Sequence, residues 1–267
     1  MNLPFNSASL FFSIVFLLLF LLVICALMRG KGAGECDVDV IYIRHGHRPA
    51  FLPSKHPDKL AWYNSPRFRE NYHDEPLTSI GIRETRRTAL NLLKLINIDK
   101  FNYIYVSPFT RTMDTAVLIS NTIYEKVGKR LPLRVEYGLH ESPGLCASSL
   151  EKLQELSGDR VLDHHLSWKQ LQQRYHKYLD KEYISLIPDH RTSNPENYTA
   201  TVKRIISEDT HPIVVGHGGA AYELFAREIE KLNSSEYKGI NTGTKHMLNF
   251  VALFSKNKLV FGPQRII

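Results

Sequence analysis

The stretch Val38-Asp39-Val40-Ile41-Tyr42-Ile43-Arg44-His45-Gly46 decides the fold class of this 267-residue chain. Its first six residues are rich in valine, isoleucine and tyrosine, which indicates a buried β-strand. Arg44, His45 and Gly46 follow the strand directly, and Arg48 comes three residues after His45. In open α/β sheets, ligands bind at the carboxyl ends of the strands. The stretch therefore predicts a ligand site where the first strand ends.

The residue types in this segment indicate an anionic ligand. Two guanidinium groups beside one imidazole are a poor way to build an apolar core. They are well suited to hold a phosphate group while an imidazole nitrogen attacks the phosphorus atom.

The rest of the chain alternates between strand and helix patterns. Further strands are predicted at 103–106, 133–135, 213–215, 248–254 and 258–261. Helices are predicted from the segment at Leu77-Thr78, with Thr78 as the N-cap, through Ile98, and at 110–124, 168–179, 198–207 and 220–232. This alternation predicts an α/β fold of three layers, a mainly parallel sheet with helices on both faces. Residues 49–76 show no clear period and are predicted to form a long functional loop.

Three more segments with chemically active side chains also follow strands. They are Ser107 to Ala116, which contains Arg111, then Val135 to Glu141, and then Val214 to Gly219, which contains His217. Arg111 is predicted on the first turn of a helix, where backbone amides also attract anions. If all four segments meet at one edge of the sheet, that edge holds two histidines, three arginines and a carboxyl group.

These four segments resemble the signature of the histidine phosphatase superfamily, the phosphoglycerate mutase-like group. The matching residues are Arg44-His45-Gly46, Ser107 to Ala116, Leu139-His140-Glu141 and Gly216-His217. Arg48, together with Pro76-Leu77-Thr78 and Gly81, makes the chain most similar to the phosphatase domains of suppressor of T-cell receptor signalling proteins and to ecdysteroid-phosphate phosphatases. His47 departs from these relatives, which usually have glutamate at that position.

The resemblance implies a role for each matching residue. His45 is expected to be the nucleophile that becomes phosphohistidine, and Arg44, Arg48 and Arg111 are expected to bind the phosphoryl oxygens. His217 is expected to donate to the same group. Glu141 is expected to be the general acid and then the base, with Glu136 as the alternative. No metal or other cofactor is implied, since guanidinium groups neutralise the charge.

The expected activity is hydrolysis of phosphate monoesters by a histidine phosphatase. The aromatic residues of the 49–76 segment favour aryl, tyrosyl or sterol-like phosphates, carried by a small molecule or a phosphoprotein. Two alternatives stay open, namely phosphoryl transfer of the phosphoglycerate mutase type and a non-catalytic scaffold that retains the fold.

Composition limits the partners. The net charge of +7 favours anionic partners, but the basic residues are scattered and no nucleic-acid-binding signature is present, so no nucleic acid partner is predicted. The three cysteines are too few for a disulfide framework. The sequence does not indicate an oligomeric state.

The N-terminus predicts a membrane anchor. Residues 8–28 are almost wholly apolar, long enough for one transmembrane helix, and no charged side chain occurs before Arg29. We therefore predict an anchor and linker over residues 1–34 and a catalytic domain over residues 35–267. Arg29 and Lys31 favour a cytosolic catalytic domain. The sequons at Asn197 and Asn233 favour the alternative, a secreted or lumenal protein.

Overall fold

The computed structural model describes residues 37–70, 74–140, 165–188, 195–218, 220–231, 251–256 and 258–264. The strands are β1 (Val40–Arg44), β2 (Ile104–Val106), β3 (Leu133–Val135), β4 (Ile213–Gly216), β5 (Val251–Ser255) and β6 (Lys258–Gln264). The helices are α1 (Pro57–Tyr63), α2 (Pro66–Glu70), α3 (Ser79–Leu95), α4 (Thr110–Val127), α5 (Trp168–Tyr175), α6 (Pro195–Glu208) and α7 (Ala220–Lys231).

The six strands form one sheet in the order β3-β2-β4-β1-β5-β6. The pairs β3–β2, β2–β4 and β4–β1 are parallel, whereas β1–β5 and β5–β6 are antiparallel. The predicted α/β fold with a mainly parallel sheet and a closing pair of strands is therefore confirmed.

Apolar side chains pack on both faces of the sheet. On one face, Ile41 and Ile43 of β1 join a cluster with buried residues of α3, α4 and α5. On the other face, Val40 and Tyr42 join a second cluster with buried residues of α6 and α7. Alternate residues of β1 thus belong to different layers, as the two-residue period of a strand requires. The three-layer prediction is confirmed.

Local sequence signals define where α3 begins and where α4 ends. The Thr78 side chain accepts a hydrogen bond from the amide of Gly81 at 3.1 Å and so caps α3, as predicted. Helix α4 ends at Gly128, whose φ of +75° lies in the left-handed region that glycine adopts without steric cost.

The segment at 49–76 is not the irregular loop that the sequence predicts. It contains a 3-10 turn at Pro49–Phe51 and the helices α1 and α2. Helix α1 begins where the His56 ring accepts from the amide of Asp58 at 3.2 Å. Both helices are shorter than two full turns of apolar repeat, so no period marks them in the sequence.

Two predicted helices end earlier than expected. Helix α3 stops at Leu95, because the Asn97 side chain accepts from the amide of Asp99 and starts a 3-10 turn. Helix α5 stops at Tyr175, and Leu179 pairs with Leu133 as an extra bridge beside β3.

The predicted transmembrane segment and the predicted boundary after residue 34 lie outside the described residues. In the part of the chain that the structure does describe, no helix has both the length and the hydropathy needed to cross a bilayer.

Candidate active site

The segments that follow β1, β2 and β4 meet at the carboxyl edge of the sheet. Arg44 and Gly216 are register partners in the β1–β4 pair, and the amide of His45 donates to the Gly216 carbonyl oxygen at 3.0 Å. The amide of Ser107, just after β2, donates to the Val215 carbonyl oxygen at 3.2 Å. The parallel register therefore brings these sequence segments together, as the sequence predicts.

The His45 ring is buried and fixed in one tautomer. Its Nδ1 lies 2.8 Å from the Gly46 carbonyl oxygen, which can only accept, so Nδ1 carries the proton. Burial, together with the nearby charges of Arg111 and Arg44, holds the pKa of His45 well below its ordinary value of 6.5. The ring is therefore neutral near pH 7, with its lone pair on Nε2. A neutral, oriented imidazole is what a histidine nucleophile requires.

His217 lies directly after β4, and its ring centroid is 5.5 Å from that of His45. Its Nδ1 lies 3.3 Å from Nη2 of Arg111, and its Nε2 lies 2.9 Å from Oγ of Ser107. Because a guanidinium group only donates, Nδ1 accepts and the proton of the neutral ring is on Nε2. The Tyr42 hydroxyl donates to the His217 carbonyl oxygen at 2.7 Å. Contacts from three different elements thus position this ring.

Arg44 and Arg111 are both buried beside His45. The Arg44 guanidinium packs on the backbone of Gly218, where a Cβ atom would lie 2.5 Å from the Arg44 Cζ. Glycine at this turn therefore makes room for the guanidinium. The Arg111 guanidinium carbon lies 4.3 Å from the ring centroid of Phe109. These aromatic and backbone contacts hold two long side chains in defined positions.

Arg48 belongs to the same group but has an additional partner. Its charge contributes to the lowered pKa of His45. Its Nη1 donates to Oε2 of Glu75 at 3.0 Å, and its Cζ lies 4.9 Å from the Phe51 ring centroid. A buried carboxylate beside Arg48 is not predicted by the sequence.

The start of α4 does not offer a free amide at its first residue, contrary to the sequence-based expectation of an anion site. The amide of Thr110 donates to Oδ1 of Asp74 at 2.5 Å, and its hydroxyl donates to Oδ2 of Asp74 at 2.5 Å. Arg67 donates to the same carboxylate. An acidic side chain therefore occupies the first amide of this helix, and the Arg111 side chain is the anion-binding group of α4 that lies beside His45.

The two candidate acid/base residues are Glu141 and Glu136. Glu141 lies outside the described residues. Glu136 is buried, and it accepts hydrogen bonds from the Ser185 hydroxyl at 2.8 Å and the Leu186 amide at 3.3 Å, as well as from the Tyr183 hydroxyl. Burial raises the pKa of Glu136. Its carboxylate thus binds the 183–186 segment. These contacts do not support the alternative prediction that Glu136 is the general acid and base.

Several other histidines are buried near the site. The His47 Nδ1 lies 3.0 Å from the Thr78 hydroxyl. The rings of His140 and His165 are buried, lie 5.3 Å apart and pack against Phe109. Across the described ranges, no group of three or more His, Cys, Asp or Glu side chains could hold a metal ion.

Four residues that position the site have no role predicted from the sequence, namely Tyr42, Ser107, Asp74 and Glu75. Tyr42 and Ser107 lie within two of the segments predicted to form the site. The sequence therefore predicts that they are near the site, but it does not predict their contacts with His217. Asp74 and Glu75 precede the Pro76-Leu77-Thr78 segment. Arg48, the partner of Glu75, is 27 residues away along the chain and Thr110, a partner of Asp74, is 36 residues away, and no local pattern reveals such distant pairs.

Comparisons with known proteins agree with this geometry. The family model described as histidine phosphatase superfamily (branch 1) matches residues 40–251. A search of curated proteins finds no match.

Two solved structures are similar to this chain, and the first of them shows the same fold. The ecdysone phosphate phosphatase of Bombyx mori, solved in complex with tungstate, is 12% identical, with a TM-score of 0.58 over 84% of this chain and 92% of that chain. A phosphoserine phosphatase of Entamoeba histolytica is 15% identical, with a TM-score of 0.41 over 81% of this chain and 89% of that one. The family model covers most of the sequence, and the chain therefore belongs to the histidine phosphatase superfamily, as a phosphatase or phosphoryl-transfer enzyme.

Proposed function

We propose that the chain hydrolyses phosphate monoesters through a phosphohistidine intermediate on His45. The observation that carries the proposal is the buried, neutral His45 ring, with Nδ1 bound to a carbonyl oxygen and the cations Arg44 and Arg111 beside it. The cations lower the energy of a bound dianion and at the same time keep the imidazole unprotonated.

Two chemical steps follow from this arrangement. In the first, Nε2 of His45 attacks phosphorus, the ester P–O bond breaks, and the leaving oxygen takes a proton from Glu141. In the second, water attacks the phosphohistidine, Glu141 takes a proton from that water, and the N–P bond breaks to release phosphate. Glu141 has this role in the proposal because it matches the Leu-x-Glu segment of the superfamily.

His217 and Arg111 are proposed to bind the phosphoryl group together. They contact each other at 3.3 Å, so a phosphoryl oxygen that enters beside them replaces that contact. In this exchange Nδ1 of His217 takes up a proton from solvent and donates it to a phosphoryl oxygen in a hydrogen bond, while its Nε2–H keeps the bond to the Ser107 hydroxyl.

The leaving group of the substrate is proposed to be aromatic or sterol-like. The 49–76 segment forms a cavity of about 370 Å³, with Pro49, Trp62, Pro76 and Leu77 among its lining residues. Pro49, one of its lining residues, follows Arg48 directly in the sequence. Its size and its apolar residues suit a rigid ring system, and the polar residues Asp58, Ser65, Arg67 and Ser79 complete the lining.

A screen of phosphate esters tests the proposal. The chain is incubated with an aryl phosphate, phosphotyrosine, an ecdysteroid phosphate, a sugar phosphate and 3-phosphoglycerate, and both phosphate release and isomer formation are measured. We expect release from the aryl or sterol esters and ³²P label on His45 after rapid acid-free quenching. Isomerisation of 3-phosphoglycerate without hydrolysis would instead indicate a mutase, and absence of label with any ester would indicate a scaffold.

We also propose that residues 8–28 anchor the chain in a membrane with the catalytic domain in the cytosol. The support is the apolar run without charged side chains, followed by Arg29 and Lys31. Protease treatment of sealed vesicles from expressing cells tests the orientation. Cytosolic exposure predicts digestion of the domain without detergent, whereas protection together with glycan at Asn197 or Asn233 would place the domain in the lumen.

A further inference from the structure

Glu75 is a buried carboxylate at the boundary between the 49–76 segment and α3. Its side chain is 7% exposed, and its Oε2 accepts from Nη1 of Arg48 at 3.0 Å. Arg48 is more open, with a side chain that is 25% exposed. Burial of a carboxylate is costly unless a cation pairs with it, so Glu75 and Arg48 keep each other in place.

The Arg48 guanidinium has N–H groups besides the Nη1 that contacts Glu75, and one of them is Nε–H. Its Nε is buried, and among the described residues no acceptor lies within hydrogen-bonding distance of this atom. A buried N–H donor without an acceptor is unfavourable, and a phosphoryl oxygen would satisfy it. One edge of the guanidinium is thus held by the protein, while the Nε–H remains available for an anion.

We infer that Glu75 is a positioning residue, which fixes the Arg48 guanidinium so that its Nε–H is directed at the phosphoryl group. This inference rests on the proposed function, since it assumes a phosphoryl group at His45. An arginine side chain loses conformational entropy when it binds a ligand, because several of its bonds can no longer rotate freely. Because Glu75 already holds Arg48, much of that ordering is complete before the substrate binds.

The alternative is that Glu75 has no positioning role and only repels the bound anion through its negative charge. Its negative charge lies near the predicted phosphate position, so without a positioning role its removal would strengthen anion binding. The two possibilities predict opposite signs for the same substitution.

A double-mutant cycle in the full-length chain tests the inference. The variants are Glu75→Ala, Glu75→Gln, Arg48→Ala and the double variant Glu75→Ala with Arg48→Ala. The probes are tungstate and inorganic phosphate, with binding measured by calorimetry and KM and kcat measured on an aryl phosphate. Asp180→Ala is the matched control, because Asp180 pairs with Arg134 at 2.9 Å in a similarly buried ion pair beside β3.

We expect Glu75→Ala to weaken tungstate binding by roughly 3- to 10-fold and to raise KM more than it lowers kcat. Glu75→Gln retains an acceptor oxygen and should recover part of the loss. In the Arg48→Ala background, removal of Glu75 should have no further effect. Asp180→Ala should leave binding unchanged.

Three results would overturn the inference. These are tighter or equal anion binding by Glu75→Ala, an equal loss with and without Arg48, and absence of tungstate and phosphate binding in the wild-type chain. If the wild type binds the anions but hydrolyses no ester, the proposed function fails while the binding cycle still decides the role of Glu75. Thermal unfolding of each variant verifies that it is folded, and Glu75→Gln provides the comparison if Glu75→Ala is not.

Discussion

The His45 side chain owes its proposed reactivity to contacts on opposite sides of the ring. The Gly46 carbonyl oxygen holds the proton on Nδ1, and buried cations make protonation of Nε2 unfavourable. The same cations are the groups expected to bind phosphate. The same charges therefore bind the substrate and keep the nucleophile unprotonated. Among them, Arg111 makes the largest contribution to the lowered pKa of His45.

We predict that His45 titrates well below pH 6.5 in the folded chain, because burial and Arg111 disfavour its charged form. As the pH falls below 6.5, the unfolded chain takes up the proton before the folded chain does, so His45 lowers the free energy of unfolding in that range and not above it. Heteronuclear NMR of the imidazole resonances measures the pKa, with His45→Gln for assignment. Arg111→Gln should raise it, and a His45 pKa above 6.5 would contradict the site geometry.

Arg111→Ala should weaken the binding of phosphate and the transition state by about 2–4 kcal/mol, because it removes a buried charged donor. The measurement is kcat/KM on an aryl phosphate together with the Kd of inorganic phosphate. Arg130→Ala is a suitable control, since Arg130 packs on Tyr124 near the other end of α4. Equal activity of the Arg111 and Arg130 variants would show that Arg111 does not bind the phosphoryl group.

At the scale of elements, helix α4 is held at its first turn by contacts from elsewhere in the fold. Its N-cap residue, Phe109, has no side chain that can accept, and the distant Asp74 supplies the acceptor oxygens for Thr110. One turn later, the Thr115 hydroxyl accepts from the amide of Gly46 at 3.0 Å. The helix that presents Arg111 is therefore tied to the end of β1 and to the residues before α3.

Asp74→Ala should lower the free energy of unfolding by about 2–3 kcal/mol, because it leaves the Thr110 amide and Arg67 without their buried acceptor. Urea denaturation measures the change. Asp37→Ala is the comparison, since Asp37 forms an exposed ion pair with Lys100 and its loss should lower the free energy of unfolding far less. Similar effects from the two substitutions would show that Asp74 is not a structural cap.

At the scale of the whole molecule, the sheet has its apolar layers on both faces and its charged groups at one edge. Strand β4 lies between β2 and β1, so the turn that carries His217 is placed between the turns that carry Ser107 and His45. Both apolar clusters of the described residues begin at or after Val38. These two clusters give the described part of the chain an apolar core on each face of the sheet.

We predict that removal of residues 1–34 leaves the free energy of unfolding and the activity on a soluble aryl phosphate within error of the full-length values. Urea denaturation and steady-state kinetics, with the full-length chain in detergent as the reference, measure both quantities. A large loss of stability in the shortened chain would show that the predicted domain boundary is wrong.

The sequence by itself determined the order of strands and helices, the three layers and the strand-end segments that meet at one edge. It could do so because periodicity, β-branched runs and turn residues act over a few neighbouring positions. It failed at residues 49–76, where the helices are too short to show a period. Only the tertiary structure decided that Arg48 pairs with Glu75, that Asp74 caps α4 and that Ser107 orients His217. The physical reason is that these partners are 27, 36 and 110 residues apart, and the sheet register and helix packing bring them together.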